Sequence, residues 1–310
     1  MSRAEGVSAI PGLSGDDRIQ VFRRHFAAVG EFEGLDVDAY VILTERYGIV
    51  CDTMLCPADV AFMMEITQQD LAGRPLLVVN SHADWDHTWG NVYFTGKRAA
   101  PILAHTYGLT RMQSVETQAE LAEFQQRYSI FQDVVVTPPT ITFEQGLTIH
   151  GGDLTVELFS APGHQPDHIA AWIPELRLLL AFDAVENPIV CLNTPEGVPQ
   201  TRSTLERMLT LHPERVLCSH SKGSSPDLVK ANLAYLLEME RRSRAALLNR
   251  RPGEEEMLHN SAFISYSFDE VIGGGSGEID RTFYSQAHEE NIHCMVQWLL
   301  HIPVSAAEKR

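Results

Sequence analysis

Two imidazoles and two carboxylates crowd into positions 82–87 of the stretch Ser81-His82-Ala83-Asp84-Trp85-Asp86-His87-Thr88-Trp89-Gly90-Asn91, directly behind the apolar run Leu76-Leu77-Val78-Val79. A short apolar run of this kind reads as a buried strand. A strand that ends in a tight turn full of nitrogen and oxygen donors is how a metal site is mounted on a rigid scaffold. The rest of the chain must therefore supply an α/β framework that carries this turn, and the turn points to a dinuclear metal centre.

The flanking segments supply such a framework. Residues 19–23 read as a first edge strand, and residues 39–43 and 48–51 as a hairpin around Glu45-Arg46-Tyr47-Gly48. Pro57 suits the first turn of a helix reaching about position 72, with Val60, Met63, Met64 and Ile66 as its apolar positions. Residues 101–105 form a short strand, residues 106–128 a helix, and residues 134–159 several strands with a turn at Gly151-Gly152. The theme then repeats, with a hairpin of residues 168–173 and 177–182 around Pro174-Glu175, a helix over 201–211 and a strand over 216–219. Three apolar strands thus run out at a potential ligand: His82, Asp183 and His220. Polar groups gathered at strand ends fit an α/β layered enzyme.

Composition narrows the function classes. The 24 Lys and Arg against 41 Asp and Glu leave a net charge of −17, a field that repels phosphate backbones and anionic membranes. The five cysteines are odd in number, scattered and without a C-x-x-C pair, which argues against a disulfide framework or zinc ribbon and for free thiols in a reducing compartment. Positions 1–20 hold no apolar signal core, and no stretch approaches the roughly 20 apolar residues of a membrane span. The expectation is a cytoplasmic protein with a small-molecule substrate and neither a nucleic-acid nor a membrane partner.

At 310 residues the chain exceeds one ordinary domain. We expect a catalytic domain over 1–225 and a helical extension over 226–310 that packs on or near the site. Helical periodicity marks residues 226–249 and 283–302, separated by Arg250-Arg251-Pro252-Gly253-Glu254-Glu255-Glu256 and Gly273-Gly274-Gly275-Ser276-Gly277. That glycine run neither follows a strand nor matches G-x-G-x-x-G, so it reads as a flexible loop. Met295, Trp298, Leu299 and Leu300 offer an apolar face for internal packing or for a second copy, which leaves both a monomer and a homodimer open.

Three further motifs complete the pattern: Pro162-Gly163-His164-Gln165-Pro166-Asp167-His168, Phe182-Asp183-Ala184 and Ser219-His220-Ser221. With the opening stretch they resemble the ordered motifs of the metallo-β-lactamase superfamily, H-x-H-x-D-H followed by single His, Asp and His ligands, over about residues 38–223. The resemblance implies an α/β fold, the αββα four-layer sandwich, here with a C-terminal helical appendage. It also implies one metal held by His82, Asp84 and His164, a second held by Asp86, His87 and His220, and Asp183 bridging the two. His168 would stand beside the ligands or in packing, and Trp85 and Trp89 would line a pocket or pack in the core.

Position 84 departs from the common histidine. Four imidazoles and three carboxylates result, and the added hard oxygen shifts preference from zinc towards iron or manganese. The H-x-E-x-D-H of flavodiiron proteins is similar but not the same. Asp84 is read as a direct ligand, with an acceptor that orients His82 or His164 as the open alternative.

Two divalent ions a few ångströms apart generate hydroxide near neutral pH. The expected reaction is therefore attack by a metal-bridging hydroxide on an ester, lactone, thioester or amide carbonyl, with Asp86 and Asp183 as the catalytic carboxylates that fix metals and hydroxide. No G-x-S-x-G elbow competes. The alternative is a di-iron oxygen-binding or redox protein, which would need an external reductant because no flavodoxin-like segment is visible.

Overall fold

Alternation of side chains along the strands builds a layered core. In the computed structural model, which describes residues 6–26, 34–250, 260–273 and 279–301, two sheets account for the strands. The first runs in sequence order: β1 (Val7–Ala9), β2 (Ile19–Phe26), β3 (Leu35–Leu43), β4 (Gly48–Cys51), β5 (Leu76–Val79), β6 (Ile102–His105) and β7 (Ile141–Phe143). Pairing is antiparallel from β1 to β4 and parallel from β4 to β7. The second sheet has the order β12-β11-β10-β9-β8, from β8 (Gly146–His150), β9 (Thr155–Ser160), β10 (Ile169–Ile173), β11 (Leu178–Leu180) and β12 (Arg215–Leu217).

The period of two sorts the first sheet's residues between two cores. Tyr40, Ile42, Ile49, Cys51 and Val79 join Val156, Leu158, Ile169, Ala171, Leu178 and Leu180 of the second sheet in one buried cluster, so the sheets pack face to face. Their neighbours Ala39, Val41, Val50 and Val78 point the other way, onto α1 (Pro57–Leu71) through Val60, Met63 and Met64. α1 starts on Pro57 and stops where Ala72 turns left-handed at φ 48°, and it serves as the crossover between the parallel strands β4 and β5. α2 (Trp85–Thr88) is a single turn after β5, while α3 (Thr106–Met112) and α4 (Val115–Arg127) follow β6.

Two expectations need correction. The strand at 19–23 extends to Phe26 and is not an edge, because β1 pairs outside it. The helix expected over 106–128 is two helices, since Ser114 caps a new start by accepting from Thr117 N. The two β-rich halves and the helices otherwise match the α/β sandwich with C-terminal helices that the resemblance implies.

The chain divides into two compact units. The first comprises Met1–Ala161, Asp167–Phe182 and His212–Pro226, and the second Pro162–Pro166, Asp183–Leu211 and Asp227–Arg310. α5 (Gly197–Thr210), α6 (Asp227–Asn249), α7 (Phe268–Val271) and α8 (Arg281–His301) build the second unit. Its core gathers Ile189, Leu192 and Val198 with Leu236, Met239, Ile292, Met295 and Val296. Of the apolar face expected on the last helix, Met295 is buried, Trp298 and Leu299 pack against this core, and Leu300 is exposed. Residues 251–259 and 274–278, which include most of both expected loops, lie outside the described residues.

Candidate metal centre

The ligand turn sits at the ends of parallel strands, and backbone bonds carry the ladder past the strands themselves: Asp52 N donates to Val79 O at 2.8 Å and Asn80 N to Leu103 O at 2.9 Å. Asp52, in a left-handed conformation at φ 63°, then turns its buried carboxylate into the turn. It accepts from Ser81 N at 2.7 Å, from Ser81 Oγ at 2.7 Å and from His87 Nδ1 at 2.9 Å. α2 is seated by Thr53, whose N and Oγ1 both donate to His87 O, and by the paired amides of Asn80 and Asn91. Gly90 permits this seat, because a Cβ there would stand 2.0 Å from Thr53 O.

Three histidines of the first unit are gripped from behind. His87 Nδ1 faces the Asp52 carboxylate, His220 Nδ1 faces Asp36 O at 2.8 Å, and His82 Nδ1 faces Ser81 Oγ at 2.9 Å. A carboxylate and a carbonyl only accept, and the Ser81 hydroxyl is already donating to Asp52, so each imidazole carries its proton on Nδ1 and presents the Nε2 lone pair. Outer acceptors of this kind orient metal-binding histidines.

Those Nε2 atoms converge. Asp86, His87 and His220 place one donor atom each within 4.8 Å of one another. His87 Nε2 and His220 Nε2 each lie 3.4 Å from Asp86 Oδ2. A tetrahedral ion with bonds of roughly 2.0–2.1 Å holds its donors roughly 3.3 Å apart, so the set fits a small divalent cation. His220 is fixed through its neighbours: Asp38 N donates to Ser219 O, and Arg23 spans the Asp38 carboxylate and Ser221 O. Burial pushes the Asp38 carboxyl up to about 6 against the opposing pull of Arg23.

Beside this group, His82 Nε2 lies 3.2 Å from Asp84 Oδ2, and the His82 and His87 rings are 4.2 Å apart. Asp84 Oδ1 is held by Arg111 at 2.5 Å, and Arg111 reaches Asp167 at 2.6 Å. Burial disfavours the Arg111 charge, but Asp84 and Asp167 outweigh it and hold the guanidinium pKa above its ordinary value. His168 is fully buried with its ring 5.0 Å from that of His82. Trp89 is buried and Trp85 half-buried, both among Phe124 and Phe131 in an aromatic cluster. His164 and Asp183 belong to the second unit, where His164 Nδ1 faces Cys191 O at 3.2 Å and its Nε2 lies 3.8 Å from Asp183 Oδ2.

Sequence reasoning singled out the donors but not what holds them: Asp52, Ser81, the Asp36 carbonyl and Arg111. Asp52 carried a readable signal, an acidic residue ending a buried strand just as Asp183 does. Arg111 carried none beyond its type.

Comparison with known proteins identifies the family and the fold. A family model described as the metallo-beta-lactamase superfamily matches residues 33–220. The chain is similar to acyl-coenzyme A thioesterase MBLAC2 of Homo sapiens, with 28% identity over 133 residues that cover 38% of this chain. It spans only 44% of the length of that relative. Among solved structures, a beta-lactamase domain protein from Burkholderia ambifaria matches with a TM-score of 0.65 at 16% identity, covering 96% of this chain and 89% of the other. A metallo-beta-lactamase from Pontibacter korlensis matches with a TM-score of 0.58 at 13% identity, covering 74% of this chain and 99% of the other. At these identities the structural likeness concerns the fold alone.

Proposed function

The chain belongs to the metallo-beta-lactamase superfamily, and from that membership we propose that it is a dinuclear metal-dependent hydrolase of small-molecule acyl compounds. The observation that carries the proposal is the donor triangle of Asp86, His87 and His220, with 3.4 Å edges at Asp86 and histidines locked in the metal-binding tautomer. In this reading Asp86, His87 and His220 would hold one ion and His82, Asp84 and His164 the other, with Asp183 as the shared ligand that the motif order of the family implies. Two divalent ions, zinc, iron or manganese, supply a water acidic enough to ionise near neutral pH and an electrophile for the carbonyl oxygen.

The protein's own groups do the rest. Asp52 and the Asp36 carbonyl keep the imidazoles from rotating or taking the wrong tautomer, and Asp86 and Asp183 orient the attacking water towards the carbonyl carbon. Among esters, lactones, thioesters and amides we favour a thioester, on the strength of the similarity to a protein described as an acyl-coenzyme A thioesterase. Substrate choice is assigned to the extension from residue 226 onward, since specificity on such a scaffold resides in its appendages.

Elemental analysis of the purified protein, chelation, and a panel of acyl-coenzyme A, aryl ester, lactone, amide and phosphodiester substrates test this. We expect about two ions per chain, thioester turnover that chelation abolishes and added metal restores, and a fall of more than about 100-fold in kcat/KM for His220→Ala and Asp86→Asn. Turnover that survives complete metal removal would refute it. Asp84 motivates one second reading, a di-iron redox protein. That reading requires two irons per chain and a visible spectrum bleached by dithionite and regained in air.

A further inference from the structure

Resting on the metal-centre reading above, we propose that Arg111 is a positioning residue that makes Asp84 a one-point metal donor in place of the usual histidine. Asp84 occupies the N-cap position of α2, where an aspartate ordinarily accepts from the N–H groups of the first turn. Here its side chain makes no capping bond. Oδ1 turns instead to Arg111 at 2.5 Å, while Oδ2 lies 3.2 Å from His82 Nε2, on the side of the donor cluster. The two oxygens of one carboxylate are thus divided between a guanidinium and the donor cluster.

Arg111 is itself anchored. Its other terminal nitrogen donates to Asp167 at 2.6 Å, and Asp167 is almost fully buried. Room for that carboxylate is left by Gly108 inside α3, where a Cβ would come 3.2 Å from Asp167 Oδ2. Glycine is disfavoured in a helix by up to about 1 kcal/mol relative to alanine, so the close approach gives a reason for Gly108 in the first turn of α3. Asp167, Arg111 and Asp84 form a clamp in which the two carboxylates engage different terminal nitrogens of one guanidinium.

The clamp has a chemical consequence. With Oδ1 engaged by Arg111, Asp84 cannot chelate an ion through both oxygens, and it offers one donor atom as an imidazole would. The pairing also draws negative charge away from the added carboxylate. Both effects restore the coordination number of a histidine-containing site and favour a four-coordinate ion such as zinc over the higher, oxygen-rich coordination preferred by manganese.

Zinc titration by chelator competition and the visible spectrum of the cobalt(II)-loaded protein test the proposal, on the full chain and on Arg111→Met, Arg111→Lys and Asp167→Asn. Arg111→Met should weaken one of two zinc sites by about 10–100-fold and leave the other in place. It should also weaken the intense cobalt bands of four-coordination as Asp84 becomes free to chelate. Arg111→Lys keeps the charge and should recover part of the affinity but not the spectrum, because a single ammonium lacks the two-point geometry. Asp167→Asn should shift both readouts in the same direction by a smaller amount. Two zinc sites with unchanged affinity and spectrum in folded Arg111→Met would overturn the role of Arg111. If that variant does not fold, an unchanged spectrum in Asp167→Asn and full recovery in Arg111→Lys overturn it equally. A native chain that takes up iron or manganese but no zinc overturns the clamp, whereas one that takes up none of the three refutes instead the metal-centre reading on which the clamp depends.

Discussion

At Asp52 three donors meet one buried carboxylate, and through it the orientation of two histidines is decided: His87 directly and His82 by way of the Ser81 hydroxyl. Charge-assisted bonds of this sort are costly to lose when the donors stay buried. Asp52→Ala should therefore reduce stability in urea denaturation by about 3 kcal/mol, combining unmet donors with the strain of alanine at positive φ. Its zinc affinity should fall by about 10–100-fold. Asn tolerates the left-handed backbone, so Asp52→Asn should recover most of the stability while affinity stays low. Equal affinity in Asp52→Asn and the unaltered chain would contradict the orienting role. The donors themselves were legible because His82, Asp84, Asp86 and His87 sit in one local motif, and chemistry at short spacing shows in a string of letters. Asp36 and Arg111 were not, and Asp52 showed only as an acidic residue ending a strand, since each acts on a residue 27 or more positions away and nothing local records which partner a fold will deliver.

Single elements show the same division. The strand Leu76–Val79 and the helix Pro57–Leu71 were readable to within a residue, because an apolar run and a proline start are local signals. β1 was invisible: its three residues are a strand only through pairing with β2. The one-turn helix α2 lacks the length for periodicity and is held by tertiary contacts, among them the Thr53 bonds to His87 O and the approach of Gly90, two residues past its end, to Thr53 O. That contact makes a sharp prediction. A methyl group at 90 would meet a backbone oxygen at 2.0 Å and the Val60 side chain at 2.6 Å, neither of which can move far. Gly90→Ala should destabilise the fold by about 3 kcal/mol or more, measured by thermal and urea unfolding. A variant with native stability would mean that α2 is held elsewhere.

Across the whole molecule, the five cysteines behave as the sequence suggested, all buried and none paired in a disulfide. Burial pushes the Cys56 thiol up to about 12 and that of Cys294 to about 11, and raises Cys51 and Cys191 as well. Only a thiolate attacks an alkylating reagent. Iodoacetamide at pH 8 should thus leave the native chain unlabelled and modify all five positions in urea, as counted by intact-mass measurement. Fast labelling of any one of them without denaturant would show that its surroundings open. No helix among the described residues is long and apolar enough to cross a membrane.

The second unit is assembled from three separate stretches of chain, two short ones inserted between pieces of the first and one long terminal one. Ile189, Leu192 and Val198 come from the middle stretch, while Leu236, Met239, Ile292 and Met295, which share their core, come from the last. No single cut in the gene can therefore release these helices as a transferable cassette. A change of side-chain volume in the tail's share of this core has to be absorbed by the interior insertion, so the stability of the two stretches is coupled.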